Sequence, residues 1–153
     1  MIAMREAAQR LGISLVGPPH EGTIQETEYR RVFAAMEEEG ADAIFVSDQA
    51  ENLTNRRLIS ELSEKSRLPA SCPHREYLKG GVLGCLMSYG FSVAYQVRHV
   101  ASYIDRILKG ADPGHLPVQQ ANKFELVINL KTAKALGLTI PQSLLVRADE
   151  VIE

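Results

Sequence analysis

The side chains able to do chemistry fall in three short groups, Ser47-Asp48-Gln49, His74-Arg75-Glu76 and Tyr89-Gly90, each directly after a short apolar run. Ser47 and Gln49 can hydrogen-bond a polar molecule, and Asp48 can pair with an ammonium group. Tyr89 offers an apolar face with a polar tip. Ordinary structural roles compete at each position. Asp48 suits a turn or a helix N-cap, Arg75 and Glu76 suit a solvated surface pair, and Tyr89 suits a core or crossover position. Catalysis has less behind it. His20, His74, His99 and His115 are scattered, without the ligand spacing of a zinc or iron site. No Gly-x-Ser-x-Gly elbow, Walker loop or dinucleotide fingerprint occurs. Gly80-Gly81 with Gly84 reads as a turn rather than a phosphate cradle, and Glu37-Glu38-Glu39 as a solvated helix end. The expectation is no enzyme, no cofactor and no metal.

The elements that position these groups follow from periodicity. Met4, Ala7, Ala8 and Leu11 share a helical face, and Gly12 ends it. Ile13 to Gly17 reads as a short strand. Tyr29, Val32, Phe33 and Met36 recur at helical spacing up to Gly40. Ala43 to Ser47 is continuously apolar, which predicts a buried strand. After the polar turn Asp48 to Asn52, a helix turns Leu58, Ile59 and Leu62 inward. Short strands follow near Pro69 to Pro73 and Cys85 to Tyr89. Ser92 then opens a long helix that runs to Gly110. Beyond the Asp112-Pro113-Gly114 loop, Phe124 to Asn129 is a strand, Lys131 to Leu136 a short helix, and Pro141 opens a last short helix. Alternating helices and buried strands with short Gly- and Pro-rich joins predict an α/β fold, a mostly parallel sheet flanked by helices. Because ligands bind beyond the carboxyl ends of the strands in open sheets of this kind, the three polar groups form the candidate site: Ser47, Asp48, Gln49, Arg75, Glu76, Tyr89 and Gly90. The rhythm also expects a strand ahead of the first helix, and none precedes Met4.

At 153 residues the chain has one domain's length, and 45% hydrophobic with 24% charged residues is ordinary for a globular protein. A net charge of −2 gives no electrostatic case for a nucleic acid partner. No stretch approaches membrane-spanning length and the N-terminus shows no export signal. Cys72 and Cys85 form no framework or metal cluster; each is expected as a small buried residue, with a mutual disulfide the less expected alternative.

From Ala101 onward the sequence closely resembles the end of the ABC-transporter substrate-binding proteins with a type I periplasmic-binding-protein fold. The residues that carry the resemblance are Ile107-Leu108-Lys109-Gly110-Ala111, Leu116-Pro117-Val118, Lys123-Phe124-Glu125-Leu126-Val127-Ile128-Asn129 and Lys131-Thr132-Ala133-Lys134-Ala135-Leu136-Gly137. Ile140-Pro141, Ser143-Leu144-Leu145 and Arg147-Ala148-Asp149-Glu150-Val151-Ile152 close it. Upstream, Arg5 to Leu11, Ala41 to Val46 and Leu86-Met87-Ser88-Tyr89-Gly90 are similar to the same family. Members run to roughly twice this length as two ordinary domains. The resemblance therefore implies the second lobe of a two-lobed receptor: 1–90 as the lobe core, 91–118 as a helix and loop that pack on a first lobe, and 119–153 as a return strand with C-terminal helices. The spacing across GGVLGC (Gly80 to Cys85) is slightly longer than the family's, and Phe91 stands where a Pro or similar turn residue is common.

The implied function is solute binding for an ABC importer: a small polar molecule, an amino acid or similar, held in a cleft between lobes and passed to an ABC permease. The alternative is a truncated, non-transporting relative acting as a cytoplasmic dimeric interaction module. Family resemblance implies a periplasmic or lipid-anchored protein, and the sequence taken as a whole product implies a cytoplasmic one. The helix after Ser92 carries Val93, Val97, Val100, Ile104 and Leu108 on one stripe. Burying those side chains is worth on the order of 10 kcal/mol as an upper estimate, comparable to a domain's net stability. Such a stripe is expected to be covered, by a second copy in a homodimer through the 92–109 helix or by a separate partner.

Overall fold

A computed structural model describes residues 2–17, 24–78 and 84–153. The Gly80-Gly81 turn, most of the GGVLGC segment and His20 lie outside the described residues. The chain forms a five-stranded sheet in the order β1 (Ile44–Phe45), β2 (Ala70–Cys72), β3 (Cys85–Phe91), β4 (Phe124–Asn129) and β5 (Glu150–Ile152). All neighbours pair in parallel except β3 and β4, which run antiparallel with Tyr89 opposite Leu126 and Phe91 opposite Phe124. The fold is therefore α/β with a mostly parallel sheet.

Helices α1 (Ile2–Arg10), α2 (Glu26–Glu38), α3 (Ala50–Thr54) and α4 (Arg56–Ser66) precede or join the first strands. The Tyr29, Val32 and Phe33 face of α2 and the Ile59 and Leu62 face of α4 are buried, as helical spacing predicts. They enclose a core with Ile44, Val46, Cys72, Tyr77, Cys85 and Val127. Gly84 is required where β3 enters, because a Cβ there would overlap Ser60 of α4. Asn129 at the end of β4 accepts hydrogen bonds from the backbone of Lys131 and Thr132, and so starts α6 (Leu130–Leu136) without a loop. Short α7 (Gln142–Leu145) leads into β5.

Four expectations are corrected. Ile13 to Gly17 is not a strand: the segment makes no sheet pairing, and Ile13, Leu15 and Val16 are exposed. A strand needs an adjacent edge to pair with, and apolar content alone does not supply one. The α1 face is largely uncovered as well; Ala8 is buried while Met4 and Leu11 are exposed. β1 is an edge strand covered on one face only, so Ile44 and Val46 are buried and Phe45 faces out. Finally, Cys72 and Cys85 are joined by a disulfide, with Cα atoms 6.1 Å apart. They lie on paired strands, Ala70 opposite Cys85 and Cys72 opposite Ser88, so strand register brings them within bridging distance. Strand β5 had no sequence signal of its own.

The long helix α5 (Val93–Leu108) leaves the end of β3 and returns to β4 through residues 109–123. None of its residues is buried; Val97, Val100, Ile104 and Leu108 are all more than half exposed.

The disulfide closes a loop between residues 13 apart, and a crosslink on that scale is worth about 3 kcal/mol. Urea unfolding followed by circular dichroism, with and without a phosphine reductant, should show that loss as a lower midpoint, with a slope equal or steeper because the reduced unfolded chain is less compact.

Candidate functional site

The sheet places all seven candidate residues at one end. Ser47, Asp48 and Gln49 follow β1, Arg75 and Glu76 lie on the 3-10 turn after β2, and Tyr89 and Gly90 close β3. Because β4 runs against β3, its first residues, Phe124 and Glu125, arrive at the same end, with Glu150 of β5 nearby.

Each residue has a defined setting. Ser47 is held by Asn52, a buried side chain of α3 whose Nδ2 donates to the Ser47 carbonyl oxygen at 3.0 Å and to its Oγ at 3.1 Å. The Asn52 Oδ1 accepts from the Tyr29 hydroxyl at 2.8 Å, which ties the loop to α2. A buried amide this well satisfied fixes the loop's shape. Asp48 does not cap α3; the N-cap is Gln49, which makes no side-chain cap bond. Instead Asp48 Oδ1 lies 2.8 Å from His74 Nε2. His74 is buried and packs edge-on against Phe91 with ring centroids 4.8 Å apart, while the Asp48 side chain remains about half exposed. One carboxylate oxygen is thus anchored from below and the group stays accessible from above.

Arg75 does not pair with Glu76. Its guanidinium bridges Glu125, at 3.5 Å, and Glu150, and so clamps the turn after β2 to strands β4 and β5. Glu76 is half-buried on the same turn. Tyr89 is exposed and stacks on exposed Phe124, centroids 5.9 Å apart and planes at 23°. The two are diagonal neighbours on one face of the antiparallel pair, the spacing at which aromatic rings reach each other. Together they form a flat apolar shelf. Gly90 supplies room rather than a side chain: a Cβ there would overlap the Pro73 carbonyl oxygen.

Tyr77 lies beneath this surface, buried, with a hydroxyl that has no partner among the described residues. Burial pushes its phenol up to about 12, with Tyr29 and Asp48 adding to the effect and Arg56 opposing it. Burial also raises Tyr29.

Sequence reading missed Asn52, Phe124, Glu125 and Glu150 as parts of this surface, and named His74 among the polar groups without giving it a role. Phe124 and the two glutamates become neighbours only through the antiparallel return of β4, for which a single sequence carries no pairing signal. His74 stood beside Arg75 in a candidate loop, and its burial was the missing information. The surface can hydrogen-bond and pair with a polar solute and can stack a planar group.

The sequence model of a family described as ABC transporter substrate binding protein matches residues 1–152. Among solved structures, a conserved domain protein from Vibrio cholerae is similar with a TM-score of 0.83 and 26% identity, over 99% of this chain and 49% of that one. The ABC domain from Streptococcus pneumonia in complex with L-Trp has a TM-score of 0.83 at 24% identity, over 99% and 49%. A ligand-free, open substrate-binding protein with adhesive properties from Clostridium difficile has a TM-score of 0.63 at 17% identity, over 99% and 48%. The last two, at such identities, speak to fold alone. The chain spans about half the length of the structures it matches. No curated protein sequence matches it.

Two substitutions test the settings described. Gly90→Ala should destabilise the fold by about 2 kcal/mol or more, since backbone would have to move; thermal unfolding reads this directly. For Tyr77, the folded chain retains a proton that the unfolded chain releases near pH 10. Its contribution is complete below pH 10 and is lost as pH climbs toward 12. Tyr77→Phe should leave stability at pH 7 equal or about 1 kcal/mol higher, because an unpartnered buried hydroxyl is removed. The same substitution should flatten the alkaline fall in a stability-versus-pH series.

Proposed function

Since this chain belongs to the ABC transporter substrate-binding protein family, we propose that it binds a small polar solute, an amino acid or a similar molecule, on the surface at the carboxyl ends of β1 to β3. The observation that carries this reading is the convergence there of an accessible, anchored acid and an exposed aromatic shelf. Asp48 receives the solute's ammonium group. Ser47 and Gln49 supply neutral hydrogen bonds. Tyr89 and Phe124 cover an apolar or planar part of the solute, and Arg75, engaged by two glutamates, holds the strands that frame the surface. Anchoring Asp48 from below lowers the ordering cost of binding, because the carboxylate is already in place.

A surface of this kind contacts one side of a small molecule, whereas clefts enclose most of a ligand. The surface therefore acts as one wall of a cleft between two lobes, and the loaded receptor serves an ABC permease as an importer component. The family consists of binding proteins rather than enzymes, typically outside the cytoplasmic membrane. No helix among the described residues is long and apolar enough to cross a membrane.

Isothermal titration with amino acids and related polar solutes at millimolar concentration tests the assignment. At least one should bind and raise the unfolding temperature, as a ligand of the native state must. Asp48→Asn should weaken a bound ammonium solute about tenfold or more, and Tyr89→Ala should weaken it while leaving the unfolding temperature of the free chain unchanged. Binding that survives both substitutions would place the solute elsewhere.

A further inference from the structure

Asp48 and His74 share one hydrogen bond and a single negative charge. Asp48 Oδ1 lies 2.8 Å from His74 Nε2. An ionised carboxylate only accepts, so Nε2 carries the hydrogen and donates it. The other ring nitrogen, Nδ1, is buried and meets no partner among the described residues. His74 is 5% exposed and packs edge-on against Phe91, while the Asp48 side chain is about half open to solvent. A proton added at Nδ1 would find no acceptor beside it. The charge of the imidazolium would then be balanced through Nε2, by Asp48.

The surroundings bring no second counter-charge into contact with the ring. The turn that follows His74 packs mainly against β3, α4 and β4. β3 contributes Phe91, which does not titrate, and a cysteine held in a disulfide. α4 contributes Arg56, a cation that bears on Tyr77. β4 contributes Glu125, which is engaged by Arg75, as is Glu150 of β5. Glu51 of α3 acts on Tyr29. On the turn itself, Tyr77 keeps its proton up to about 12, and Glu76 makes no ion pair with the ring. Asp48 thus stands between a buried imidazole on one side and solvent on the other.

We propose that His74 sets a proton in competition with the solute: the charge of Asp48 balances either an imidazolium beneath it or an ammonium above it. The proposal rests on the solute site described above and adds its regulation. With the ring neutral, the pair carries one negative charge and a cationic solute meets a full anion. With the ring protonated, the pair is neutral and the solute loses its counter-charge. His74 acts through Asp48 and is a positioning residue, since its ring is buried away from any solute. Affinity for an ammonium solute therefore falls as pH falls, and by linkage the solute expels the proton when it binds. Imidazoles exchange their proton at about pH 5 to 8, above the carboxylate range. A loss of affinity there is distinct from protonation of Asp48 itself. Every contact involved lies within the described residues, and none involves α5.

The cationic probe is 2-phenylethylamine, whose ammonium keeps its proton below about pH 9, and 2-phenylethanol is its neutral counterpart. Titration calorimetry of the full chain from about pH 8 to pH 5 should show the amine's affinity falling about tenfold. Whatever heat the alcohol gives should not change over that range. Near pH 6, roughly the middle of it, binding of the amine should release protons, read from the dependence of the heat on the buffer's ionisation enthalpy. That measurement needs no variant. His74→Gln keeps a neutral donor for Asp48, and should bind the amine with neither the pH dependence nor the proton release. An amine affinity that is flat with pH in the parent chain, without proton release, overturns the inference and leaves the solute site standing. So does a parallel loss of the alcohol, which would mean that acid acts on the fold, or a His74→Gln chain with the parent's pH profile. An amine that binds at no pH sinks the solute site, and this inference with it.

Discussion

The structure depends on β3 being able to touch both of its neighbours at once. On one side the strand pairs with β2 and is bonded to it through Cys85 and Cys72; on the other it pairs antiparallel with β4 over five residues. At its carboxyl end the approach is closest. The Pro73 carbonyl oxygen occupies the space that a side chain at Gly90 would need. That single bare Cα lets the turn after β2 lie against β3, which in turn brings His74 against Phe91 and Arg75 within reach of Glu125 and Glu150. With any larger residue at 90 the turn would have to withdraw, and the anchor under Asp48 would go with it.

Two kinds of order support the candidate surface, and they respond differently to perturbation. The Tyr29-Asn52-Ser47 chain is hydrogen-bonded throughout and buried at Tyr29 and Asn52, so it sets the shape of the loop after β1. The Arg75 bridge to two carboxylates is half exposed, so salt and solvent screen it, and its worth lies in alignment more than in stability. Between them stands the Asp48-His74 contact, buried on the histidine side and open on the acid side. A ligand-binding acid benefits from that asymmetry: it is positioned by protein and still hydrated until a solute arrives.

Much of this was legible in the residues, and what was not has a common cause. Local periodicity gave the buried faces of α2 and α4, the long helix after Ser92 and the polar loops beyond three strands, because each depends on residues close in sequence. It misread Ile13 to Gly17, whose apolar run lacks a neighbouring edge, and Phe45, which is apolar yet faces out from an edge strand. It missed β5, the Cys72-Cys85 bond and the role of Phe124 and Glu125, all of which arise from pairing between strands. Composition records what a segment can bury; it does not record what lies beside it. The family resemblance supplied the fold where pairing could not be read, and it did so without fixing any ligand contact.

α5 and the aromatic pair of the candidate surface meet the sheet at the same point. Ser92 is buried, and its backbone N–H donates to the Lys123 carbonyl oxygen at 2.9 Å. This bond closes the base of the whole excursion through α5, so that the helix leaves and the strand returns through a single gate in the sheet end. Everything between the two residues is carried away from the core, and none of α5 gains cover from it. Just inside this gate, Tyr89 and Phe124 stack on each other and both remain exposed. The bare faces of these rings are apolar surface that the described residues leave uncovered, and any group that stacks there gains the burial that folding does not supply.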